Sequence, residues 1–275
     1  MPQALDFAKT WQDFTLHNMS SRLSDIDEID FWHNYAEGYD TQNEQHPESY
    51  QETLNLIQSH LRCDDTVLDV GAGSGRFTLP IASYVQSVTA LDLSPHMLEL
   101  LQNKAKANDI KNIYTVQCNW EDAVIQQHDV VLAAWSLYRQ RDMLRSLQKL
   151  INSTRRTLII VDGDYAPRPD NDPPHEFIKN EIWGVDDPGI CNYLYFAGML
   201  RQCRVRADIH VVREKIHYSA PDVDTLAHHF VPHNANEQDT RTFIQKFEPY
   251  IKQASDSYHY TCQFAVGLVI WNRPQ

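Results

Sequence analysis

An apolar run that ends in an acid and three alternating glycines, Val67-Leu68-Asp69-Val70-Gly71-Ala72-Gly73-Ser74-Gly75, is followed by Arg76 and Phe77. A strand turning this tightly into a helix needs dihedrals that only glycine adopts freely, and a backbone without Cβ lets a bulky ligand approach closely. Backbone donors at the start of the next helix would add to the pull on a cofactor. Asp69 reads equally as an anchor for the turn and as a ligand contact. Asp92 closes a second apolar run, Val88-Thr89-Ala90-Leu91-Asp92-Leu93, where its carboxylate could take two hydroxyl protons. Asn119-Trp120-Glu121 and Trp135-Ser136-Leu137-Tyr138 follow two further apolar runs, so four segment ends supply polar groups to one place.

The elements that must carry these groups alternate. The sequence predicts strands over 67–70, 87–92, 113–118, 129–134 and 157–161, with helices over 76–84, 95–107 and 141–151 between them. Strands separated by crossover helices pair in parallel, and ligands of such sheets sit beyond the carboxyl ends of the strands. Phe31, Trp32, Tyr35 and Tyr39 recur at helical spacing, and residues 1–62 read as a helical cap within a single domain spanning 1–275. Residues 164–190 hold Pro167, Pro169, Pro173, Pro174 and Pro188 among many acids, and read as an irregular insertion or lid. Helices over 191–203, 223–230 and 239–251, a strand over 207–212 and a long closing strand over 260–271 complete the pattern.

Composition narrows the partners. The chain has 275 residues and a formal net charge of −13, which disfavours a phosphate backbone as the default partner and leaves a small molecule as the favoured one. Cys63, Cys118, Cys191, Cys203 and Cys262 are widely spaced, which suits neither a disulfide framework nor a thiolate zinc site and fits a reducing cytoplasm. No apolar run approaches the ~20 residues of a membrane span. His229 and His233 are spaced as a helical metal pair, but Pro232 would end that helix, so no metal is expected.

From about residue 60 to 164 the chain resembles the class I S-adenosylmethionine-dependent methyltransferases, small-molecule type. The resemblance implies a Rossmann-like, doubly wound α/β fold: a seven-stranded, mostly parallel sheet with an antiparallel last strand. It implies that Asp69, Gly71, Ala72 and Gly73 lie under the amino acid arm of S-adenosyl-L-methionine, and that Asp92, with Leu93, holds the ribose. Asn119, Trp120 and Glu121 fall where the family grips adenine, with Asn119 in place of the usual acid. Trp135 and Ser136 fall where the family faces the methyl end, while Tyr35 and Tyr39 resemble aromatics that close over the cofactor. Tyr138, Asp164 and His175 are candidates for a general base, though the sulfonium is already an activated donor and alignment could suffice. Two other readings remain open at this stage: an S-adenosylmethionine-binding protein without methyl transfer, as a non-catalytic subunit or through other chemistry, and an NAD-binding oxidoreductase, since Asp92 would also suit an NAD ribose.

Overall fold

The fold is described from a computed structural model, which places residues 5–18, 24–46, 48–140, 142–163, 174–183, 192–232 and 235–274. Its elements in chain order are α1 (Phe7–Asn18), α2 (Asp25–Gln45), α3 (Gln51–Ser59), β1 (Thr66–Val70), α4 (Thr78–Ala82), β2 (Ser87–Asp92), α5 (Pro95–Ala107), β3 (Ile113–Gln117), β4 (His128–Ala134), α6 (Met143–Ser153), β5 (Thr154–Gly163), α7 (Pro174–Trp183), α8 (Asn192–Gln202), β6 (Asp208–Ala220), α9 (Val223–His228), α10 (Glu237–Phe247), β7 (Lys252–Gln253) and β8 (Tyr258–Asn272). The strands form one sheet in the order β3-β2-β1-β4-β5-β8-β6, with the two-residue β7 paired to β8. β1 to β5 run parallel, and β8 enters antiparallel between β5 and β6. This is the expected doubly wound, Rossmann-like α/β fold, with β7 added to the seven strands foreseen.

Burial explains why these segments become strands. β1 and β4 are apolar without alternation because helices cover both faces of the sheet. One face packs Leu68, Val131 and Ile160 against Leu147, Phe196 and Trp11. The other packs Val67, Leu132 and Ile159 against Ile57 and Ile81. α5 has the boundaries foreseen: Ser94 caps it by accepting from the Met97 amide at 3.3 Å, and Pro95 occupies its first turn, where a missing amide proton costs nothing.

Three expectations are corrected. α4 spans only Thr78–Ala82 rather than 76–84, because the glycine turn continues through Phe77, which lacks a side-chain cap. The insertion is also not irregular throughout. Pro174 begins α7, since proline is tolerated in a helix's first turn, and Ile178 and Trp183 give that helix an apolar side to bury. The remainder of 164–190, Asp164 included, lies outside the described residues. The β6–β8 ladder is longer than the sequence reading placed it. It runs from Asp208↔Ile270 to Ala220↔Tyr258, so its outer half rises past Gly163, the end of β5. Phe243, Phe247, Phe230, Tyr218 and Tyr260 form a separate aromatic core against that extension.

Candidate functional site: a cleft at the carboxyl ends of the parallel strands

β1, β2 and β4 end at one cleft, an open space of about 980 Å³ lined by Asp69 to Ser74, Arg76, Phe77, Leu91 to Leu93, Met97, Cys118 to Trp120 and Ala134 to Ser136, with Tyr138, Arg139 and Gln140. Glu28, Trp32 and Tyr39 of α2 close it from above. The glycines do three different jobs. Gly71, at φ +75°, faces Ser136, whose Cβ would lie 2.2 Å from a Cβ placed there. Gly75, at φ +92°, is filled in the same way by Leu101 and Leu79. Gly73, at φ +54°, has nothing within 4 Å of a Cβ position, so of the three it alone opens its face to the cleft. Close approach of a ligand therefore concerns Gly73, while Gly71 and Gly75 are small for packing.

Asp92 braces this loop. One carboxylate oxygen accepts from the Gly73 amide at 2.8 Å and the other from the Ser94 amide at 2.8 Å, leaving further lone pairs toward the cleft. Burial pushes its pKa above the ordinary carboxylate value; the two amides pull it back and the charge of Glu28 raises it again. Asp69 is 3% exposed and accepts from the Thr78 hydroxyl at 2.5 Å, and burial lifts its pKa to about 7 against that bond. Trp135 sits in the left-handed region, at φ +49°, an uncommon conformation for a bulky side chain that re-aims the backbone at the end of β4. Its ring stacks on Phe77 at 6.0 Å and meets Tyr50 edge-on at 4.8 Å. The buried Ser136 and Ser74 hydroxyls have no hydrogen-bond partner among the described residues, as expected where a ligand supplies one.

The other sequence-predicted residues divide. Trp120 lines the cleft with its indole N–H fixed to Ser146 at 2.9 Å, and Lys149 lies 4.5 Å from its ring centre. Asn119 lines the cleft, but its amide nitrogen donates to both Asp25 carboxylate oxygens, at 2.8 and 2.9 Å, and its oxygen accepts from the Glu121 amide at 3.0 Å. Glu121 itself is exposed outside the cleft. Ala72 and Leu93 line it. Tyr39 lines the cleft, whereas Tyr35 is 47% exposed and lies tilted against Phe31 with ring centres 5.4 Å apart. Tyr138 lines it and donates to Glu28 at 2.5 Å. His175 lies elsewhere, buried in the outer aromatic core, with Nδ1 3.0 Å from the Tyr260 hydroxyl and its ring 4.3 Å from Phe230.

Glu28, Arg76 and Arg139 are among the cleft residues to which sequence motifs assigned no role. Glu28 is 3% exposed, accepts from the Trp32 indole at 2.9 Å and lies beside Arg139, which also bonds Asp25 at 3.0 Å. The signal was present in α2: Glu28, Trp32 and Tyr39, four and seven residues apart, share one helical face.

Residues 67–157 match the methyltransferase domain family. Demethylmenaquinone methyltransferase of Symbiobacterium thermophilum is 27% identical over 199 residues, 68% of this chain and 76% of that protein. An uncharacterized protein of Haemophilus influenzae is 26% identical over 171 residues, 60% of each. The structure of a candidate methyltransferase from Bacillus halodurans superposes with a TM-score of 0.52 at 16% identity, over 82% of this chain and 98% of that one, which shows a common fold. Residues 67–157 are therefore similar to a methyltransferase domain, and the sheet that carries them is Rossmann-like. The chain spans less than two thirds of the first curated relatives it matches: 60% of the Haemophilus protein and 15% of a 23S rRNA (uracil(1939)-C(5))-methyltransferase of Aliivibrio salmonicida. No helix among the described residues is long and apolar enough to cross a membrane.

Proposed function

We propose that the chain is an S-adenosylmethionine-dependent methyltransferase acting on a small-molecule acceptor. The observation that carries this reading is the charge of the cleft: Glu28, Asp69 and Asp92 gather under α2 around a glycine loop open at Gly73. Such a set suits a ligand with positive centres, a sulfonium and an ammonium. The orphaned Ser136 and Ser74 hydroxyls and the open Gly73 position fit the same group. Asp92 would hold ribose hydroxyls, Trp120 would wall the base, and Asp69 with the glycine loop would take the amino acid arm. When bound, the cofactor supplies an activated methyl group. The chain's own part is alignment and exclusion of water, through α2 above and Trp135 and Ser136 below. Tyr138, hydrogen-bonded to Glu28, is the candidate to accept a proton from the acceptor, passing its own to the carboxylate. The net charge of −13 favours a small acceptor over RNA. Calorimetric titration with S-adenosylmethionine, S-adenosylhomocysteine and NAD tests the reading: micromolar binding of the two sulfur compounds without NAD is expected, and binding of NAD alone would overturn it.

A further inference from the structure

The cleft also holds a cation with no protein anion to match it. Arg139 lies against Asp25 and Glu28, Arg156 bonds Asp65, Lys104 bonds Asp40 and Arg155 faces Asp129, yet Arg76 has no carboxylate within 4.0 Å among the described residues. Its guanidinium lies 4.3 Å from the ring centre of Tyr50 and 5.3 Å from that of Tyr39. Cation–π attraction to two aromatics holds the group, and a guanidinium has five N–H donors, so donors remain for a partner beside the one Tyr50 takes. Arg76 directly follows the glycine turn and lines the cleft. In a chain this acidic, an aromatic-clamped guanidinium without a carboxylate partner is a recognition element for one.

We propose that Arg76, clamped by Tyr39 and Tyr50, binds a ligand carboxylate at the glycine-loop end of the cleft. The inference rests on the methyltransferase reading, and two ligands could bring this chemistry: the α-carboxylate of the cofactor's amino acid arm, or a carboxylate on the acceptor. Arg76→Gln and Arg76→Lys, each checked for an unchanged melting temperature, separate them. S-adenosylhomocysteine and 5′-methylthioadenosine share the nucleoside thioether, but only the first carries the carboxylate. If the cofactor is the source, Arg76→Gln weakens S-adenosylhomocysteine at least tenfold, Arg76→Lys weakens it less, and methylthioadenosine binds all three proteins alike. If the acceptor is the source, S-adenosylhomocysteine is unaffected, and propionate, but not propylamine, shifts NMR resonances of the S-adenosylhomocysteine-loaded wild type and not of Arg76→Gln. An equal loss of both nucleosides in a variant that melts normally marks Arg76 as a clamp between helices only and overturns the proposal; so does no response in any arm. Failure of the wild type to bind either nucleoside defeats the cofactor reading instead, and the propionate titration on the unloaded protein then decides Arg76 by itself.

Discussion

The cleft and the outer aromatic core are both built from side chains beyond the ends of the parallel strands, and they are built on opposite terms. Around the cleft, carboxylates are buried with raised pKa values, hydroxyls lack partners and Trp135 holds a left-handed backbone. In the outer core Phe243 and Phe247 are fully buried, rings meet at 4.7 to 5.4 Å, and the titratable His175 bonds Tyr260. At the cleft, strain and unmatched polarity sit where a ligand can relieve them, and in the outer core close packing steadies the scaffold.

Substitutions on the two sides should separate binding from stability. Phe243→Ala should cost about 3–5 kcal/mol of stability through cavity formation while leaving S-adenosylhomocysteine affinity in the surviving folded fraction unchanged, as denaturant melts and calorimetry would show. Asp92→Ala should do the reverse, weakening the nucleoside ligand by roughly 1.5–3 kcal/mol through lost charge-assisted bonds; full retention of affinity would remove Asp92 from the site. The loop divides further. Gly73→Ala puts a Cβ into the open cleft at about 1–2 kcal/mol of backbone strain and should chiefly weaken ligand binding, whereas Gly71→Ala collides with Ser136 and should chiefly lower the melting temperature.

The smallest effect is a pH dependence. Asp69 and Asp162 each have a folded-state pKa near 7, raised by burial from 3.8. Between those values the folded chain holds protons that the unfolded chain has lost, so stability falls as pH rises from about 4 to 7 and levels above. Asp69→Asn should flatten part of that slope and stabilise the ligand-free protein at pH 8. A cationic ligand beside Asp69 should in turn bind the wild type more tightly as pH rises through 7, a trend that Asp69→Asn should abolish.

Much of the cleft's floor was legible because its requirements are local: a five-residue spacing of glycines and an acid at a strand's end state their purpose within ten residues. The parts that were not legible depend on distant partners. Asn119 has the right position but spends its amide on Asp25, 94 residues earlier in the chain. Tyr35 and Tyr39 look equivalent in sequence, and only the orientation of α2 over the cleft puts one inside and one out. His175 fits a base on paper, but α7 carries it into the aromatic core, and the helix itself was obscured by the prolines that flank it.

One contact has a consequence for how the protein is made. Glu214 of β6, 2% exposed, accepts the Thr53 amide at 2.5 Å and so fixes the start of α3 across 161 residues of chain. Tyr50, just before that helix, is part of the clamp on Arg76. On the ribosome, then, the glycine loop emerges long before the residue that secures its roof, and a nascent chain halted short of β6 would carry the whole recognisable motif without a finished binding cleft.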